Sequence, residues 1–170
     1  MLKRYAINLV VCSVGLTLTA SGLIGCSDNS NTPTVRTNIE FTAHGVLEFR
    51  KDDGELVTRI AIEIAESDSA QARGLMDRRS LPDRGGMIFV SPSASQKSFW
   101  MRSTPLPLDI VFVASDSSIV NIVKRTTPYS DDRITSEGLA QYVVEVRAGF
   151  TDKYGIEPGQ KITWWRQERE

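Results

Sequence analysis

Two carboxylates, an arginine and an aromatic–thioether pair are the residues of this 170-residue chain whose types and settings could do chemistry. Asp109 stands at the mouth of the apolar run Ile110–Ala114, directly behind "FWMRSTPLPL" (99–108). Glu145 lies in the alternating segment "AQYVVEVRA" (140–148). Two carboxylates brought together can divide the roles of general acid and general base. Arg73 precedes Gly-Leu-Met among residues that should be packed, where a guanidinium requires a buried acid partner. Trp100, Met101 and Asp109, with Arg73 as charge partner, would therefore line a small-ligand cleft. Each also has a plainer reading. Asp109 can spend its oxygens on the loop's backbone amides, or on an arginine such as Arg73. Glu145 falls on the strand face opposite Tyr142, Val144 and Val146, and is expected to point outward.

Apart from Met1, the methionines are Met76, Met87 and Met101. Three converging thioethers would suit copper(I), a soft ion, whereas methionine more commonly fills gaps in a core. The single histidine, His44, is distant in sequence and does not back up the set. Arg78, Arg79 and Arg84 share a loop with Asp77 and Asp83 and read as solvated residues pairing with their neighbours. No Gly-x-Ser-x-Gly elbow, His-Glu-x-x-His run or phosphate loop occurs, and no cofactor is implied.

The N-terminus must be set aside before the fold is read. Lys3 and Arg4 precede a short apolar run that ends in "LIGC" at Cys26, the pattern of a lipoprotein signal. Residues 1–25 are read as the signal peptide. Cys26 is then the first mature residue, carrying acyl chains that hold it to a membrane. The run is too short for a span of ~20 residues and is broken by Gly22 and Gly25. Residues 26–44 read as the lipidated cysteine and a tether, too polar around 27–38 to order themselves. Ser27 after the cysteine resembles an outer-membrane address, facing the periplasm if the cell is Gram-negative. The formal charge of −1 arises from 20 basic and 21 acidic residues with no basic run. Nucleic acid is therefore not an expected partner. A membrane, a small ligand or an envelope protein is.

Residues 45–170 form a single β-rich domain. "KDDG" joins Val46–Arg50 to Leu56–Ala65 as a hairpin, and Ile60, Ile62 and Ile64 alternate against Arg59 and Glu63. Asp68 with Gln71 makes a weak capping box for a short helix, which Gly74 would end or pack closely. Further strands are expected at 87–90, 97–101, 109–114, 119–125, 140–148 and in "KITWWRQ". Pro105 and Pro107 exclude a central strand between Thr104 and Leu108 and make that segment a crossing loop or edge. About eight strands and one short helix predict a mainly β fold, either a compact barrel or a two-layer sandwich.

Five ordered words give the chain a resemblance to the domain of unknown function 192 family over roughly residues 45 to 165. They are "RGLM" (73–76), Leu81-Pro82 with Gly86-Met87-x-Phe89, Phe99-Trp100-Met101-x-x-Thr104, Pro107-Leu108-Asp109-Ile110-x-Phe112, and Tyr142-Val143-x-Glu145-x-x-Ala148-Gly149. The family usually has Lys-Asn where this chain has Arg102-Ser103. The resemblance implies a barrel-like or jelly-roll-like fold and directs attention to Arg73, Trp100, Met101, Thr104, Asp109 and Glu145. It supplies no activity. Three roles follow for the domain: a binding module, an enzyme using Asp109 and Glu145, or a structural unit in which the words lock the fold.

Overall fold

The computed structural model describes residues 39–168. Cys26 and most of the segments read as signal peptide and tether lie outside them. Seven strands and two short helices follow in the order β1 (Gly45–Arg50), β2 (Leu56–Ala65), α1 (Asp68–Arg73), β3 (Gly85–Phe99), β4 (Leu108–Val113), β5 (Ile119–Val123), β6 (Ile134–Arg147), α2 (Phe150–Tyr154) and β7 (Lys161–Arg166). The strands form one sheet in the order β5-β4-β6-β3-β2-β1-β7. β2 and β3 are parallel, and the other neighbours are antiparallel. The sheet curls into half a barrel. Its two edge strands meet at their starts, where Ile119 N donates to Gln160 O (2.8 Å) and Ile162 N to Ser117 O (2.9 Å).

The mainly β expectation holds, with one curled sheet instead of two layers. Seven strands replace eight because 87–90 and 97–99 belong to a single strand, β3, which ends before Trp100 and Met101. Ser91–Ala94 are absorbed as a bulge between the pairs Val90↔Tyr142 and Ser95↔Ala140, and exposed Pro92 sits in that irregularity, where a missing donor is tolerated. The second helix, α2, is additional to the one expected from the sequence. Residues 39–44, counted with the tether in the sequence, run along the domain. His44 N donates to Ile62 O (2.8 Å), Thr42 N donates to Glu63 Oε1 (2.7 Å), and Phe41 packs on the core. Among the described residues, no helix is long and apolar enough to cross a membrane.

Strand alternation supplies the sheet with two packed faces instead of one. On the first lie Phe49, Ile62, Ile88, Val111, Val144 and Val146, with Phe150 of α2. On the second lie Met87, Phe89, Ile110, Phe112 and Val143, covered by Leu75, Leu81 and Met101 from the connecting segments. An arginine expected to be solvated helps to hold that second cover. Arg78 is buried, Nη2 lies 2.5 Å from Oε2 of buried Glu63, and Nη1 donates to Glu40 O (3.1 Å). Arg78 thus takes a buried acid 15 residues upstream, while Asp83 pairs with Arg147.

Candidate functional site

Pro105 and Pro107 keep the chain out of the sheet until Leu108, so Asp109 is the second residue of β4. It pairs in register with Val146 of β6, which places it on the first face. It is fully buried. Oδ1 accepts from Arg125 N (2.9 Å), and both oxygens accept from Gly149 N (3.2 and 3.1 Å). Oδ2 also accepts from Thr151 N (3.0 Å) and from the Thr151 hydroxyl (2.7 Å). Asp109 therefore caps the first turn of α2, whose amides have no intrahelical partners. Gly149 reaches it with φ 84°, a left-handed conformation that disfavours a side chain. The last word of the resemblance thus ends in glycine because the fourth word contains an aspartate.

Glu145 pairs with Ile110 of β4 and Met87 of β3. It is the residue beside Val146 and so projects from the opposite face of the sheet. The two carboxylates are divided by the sheet, and the acid–base pair weighed from the sequence does not form. Arg73 does not meet Asp109 either. It ends α1 on the second face, is exposed, and makes no salt bridge among the described residues. The outward position expected for Glu145 is also corrected: the residue is 5 % exposed, because the second face carries a core of its own.

That second face holds a cavity of about 480 Å³ between α1, the outer half of β3, the 100–104 loop and β6. Gly74 shapes one wall. Its φ of 48° turns the chain out of α1, and a Cβ there would stand 3.1 Å from the ring of Phe89. Asp77 N donates to Ser103 O (2.7 Å), joining this wall to the 100–104 loop. The loop closes as a turn, with Thr104 N donating to Met101 O (2.9 Å). Ser103 has φ 56°, the region asparagine tolerates better than serine, which is where the family's asparagine is replaced. Trp100 borders the cavity and remains 41 % exposed, with the Arg102 guanidinium 4.3 Å above its ring.

Phe89, Val143 and Glu145, all buried, form the floor. Phe89 and Phe99 meet edge to face at 5.1 Å. The residues paired with Glu145 on the flanking strands, Met87 and Ile110, are both apolar, and its buried Oε2 has no hydrogen-bond partner. Burial pushes its pKa up to about 8, because desolvation disfavours the charged form. A neutral carboxylic acid at the bottom of a cleft can donate one hydrogen bond and accept others. Lys97, half-buried on the wall, donates to the Ser91 hydroxyl (2.7 Å), and burial lowers its pKa.

Of the residues singled out from the sequence, Arg73, Met76, Trp100, Thr104 and Glu145 border this cavity. Met101 lies beneath it, 1 % exposed, with its sulfur accepting from the Thr126 hydroxyl (3.2 Å). Met87 and Met101 both belong to the second core. Among the described residues, no cluster of three His, Cys, Asp or Glu is placed to hold a metal ion. Sequence reasoning missed Lys97, Phe99 and Arg133 as wall residues. Lys97 and Phe99 follow the alternation of β3, but only the tertiary position of α1 turns that stretch into a cavity wall.

The comparisons place this geometry among known proteins. The sequence profile of domain of unknown function 192, described as "Uncharacterized ACR", matches residues 48–164. No curated protein matches the chain. One similar structure is a "putative transcription regulator" from Sinorhizobium meliloti 1021, with 30% identity and a TM-score of 0.69, covering 74% of this chain and 98% of that one. Another is a protein of unknown function from Novosphingobium aromaticivorans DSM 12444, with 34% identity and a TM-score of 0.66, covering 70% and 84%.

Proposed function

We propose that this chain, which belongs to the domain of unknown function 192 family, is an exported lipoprotein that is anchored through Cys26 and binds a small ligand in the cavity over Glu145. One observation carries the binding reading: a carboxyl whose buried Oε2 has no partner belongs to a residue at the floor of a concavity bordered by four of the family's five words. Buried polar groups are ordinarily satisfied. One left unsatisfied at the floor of a cleft of ligand size is a group held for an occupant. The lipoprotein reading rests on "LIGC" and the charged, apolar segment before it. The regulator description of the Sinorhizobium protein is not extended to this chain, which has a formal charge of −1 and no basic run.

The two halves of the proposal are tested separately. Cell fractionation should find the wild-type chain with the membranes and labelled by a palmitate analogue. Cys26→Ala should lose the label and leave the membrane fraction, and retention with label would refute the anchor. For the cavity, ligand-observed NMR with a chemically mixed fragment set should give hits that also shield Trp100 from acrylamide quenching. Those hits should be lost in Trp100→Ala. Hits indifferent to that substitution, or no hits at all, would count against the cavity.

A further inference from the structure

We propose that the cavity takes small organic anions with an apolar body, the anionic group held at the mouth by Arg73 and Arg133 and the body lying against Phe89, Phe99 and Trp100. This rests on the small-ligand reading above and specifies its chemistry. The charged side chains bordering the cavity are Arg73 from α1, Lys97 from β3, Arg133 just before β6, and Glu145 from β6. β4 contributes no charged group here, since Ile110 is the residue it sets beside Glu145.

The arginines of the domain divide sharply. Arg50, Arg59, Arg78, Arg102, Arg125, Arg147 and Arg166 each reach a carboxylate; among the described residues Arg79 and Arg84 do not, and neither of those two borders the cavity. Arg73 and Arg133 form no salt bridge among the described residues, and the polar contact of Arg133 is the Ser98 hydroxyl (3.1 Å). Both are exposed, so they stand at the mouth, whereas Glu145, Phe89 and Val143 are buried below them. The Lys97 ammonium is likewise held only by a hydroxyl. Glu145 is the one acid of the lining and is neutral below a pKa of about 8. The lining therefore carries a positive excess at neutral pH, and a guanidinium fork matches a carboxylate or phosphate in two hydrogen bonds. An organic cation would meet that excess without an ionised acid to offset it. The floor and the Phe89–Phe99 pair exclude a small hydrated anion as the best fit, because only an apolar body would cover them.

Isothermal titration of the full chain at pH 6.5 with 2-naphthoate, 2-naphthylmethanol and 2-naphthylmethylamine separates the possibilities, since the three share one apolar body. The naphthoate should bind about tenfold more tightly than the alcohol or better, as expected for a charge-assisted pair. Arg73→Gln/Arg133→Gln should bring acid and alcohol to similar affinity. An alcohol or amine that binds as well as the acid overturns the anion class and leaves the cavity reading standing. A preference that survives the double substitution overturns the assignment of the anion to these arginines. Failure of all three compounds to bind removes the cavity reading together with this one.

Discussion

Asp109→Ala should lower the melting temperature of the domain by roughly 10–20 °C, corresponding to a loss of about 3–5 kcal/mol. The buried carboxylate accepts from three backbone amides and one hydroxyl drawn from two separate segments, 125 and 149–151. Each hydrogen bond to a charged group contributes about 1.5–3 kcal/mol, and removing the acceptor also strands the amides it served. The effect should be shared with Thr151. Asp109→Asn and Thr151→Val should be non-additive, because they break one network. Arg73→Met is the discriminating control. Arg73 is exposed and on the opposite side of the sheet, so its replacement should change stability by no more than about 0.5 kcal/mol. Circular dichroism melts of these four variants and of the Asp109→Asn/Thr151→Val double decide the matter: an Arg73→Met loss matching that of Asp109→Ala would sink this account.

This division explains why the words of the family serve two purposes. Asp109 and Gly149 belong to a lock that fixes β4, the 125 turn and α2. "RGLM", Phe99-Trp100 and Glu145 belong to the cavity, with Gly74 thinning the wall so that Phe89 can reach the floor. Met101 joins the two, since the Thr126 hydroxyl donates to Met101 sulfur and accepts from Leu108 N (3.0 Å) at the start of β4.

Local rules carried the reading of the sequence a long way. Asp-Gly placed the first hairpin, the two prolines kept 100–107 out of the sheet, and period-2 alternation put Glu145 on the correct face of β6, opposite Val144. The inference failed one step later, in taking that face to be outward. Whether a strand face is covered depends on Leu75, Leu81, Phe89 and Met101, which arrive from other segments, and alternation within one strand contains no information about them. The same limit misplaced Arg78, whose partner Glu63 reads locally as an exposed strand residue. Pro92 marks an irregularity after Val90, but a bulge within one strand and a loop between two share that mark, and only the pairing of β3 with β6 tells them apart.

Glu145→Gln should stabilise the domain, and the gain should grow with pH. The folded pKa of about 8 lies above the ordinary 4.5. Between those values the folded chain keeps a proton that the unfolded chain has released, so stability falls as pH rises. Below 4.5 both states are protonated and the residue imposes no ionisation penalty; above about 8 the penalty is complete. The slope approaches about 1.4 kcal/mol per pH unit inside the window, giving several kcal/mol in total. Glutamine keeps the shape and cannot ionise, so subtracting its urea-denaturation curve at pH 5, 7 and 8.5 from that of the wild type cancels the other titrating groups. A difference that widens with pH supports the buried acid. Parallel curves would show that Glu145 titrates normally and that its environment is wetter than its burial indicates. An apolar floor would be more stable here, as it is between Met87 and Ile110 on either side. A carboxyl kept at such a cost, with one oxygen left unpartnered beneath an open cleft, is better explained by what enters the cleft than by what holds the fold. Saturating 2-naphthoate should then carry the widening of that difference on to higher pH, its onset unchanged, because an anion bound above Glu145 opposes ionisation in the folded state alone.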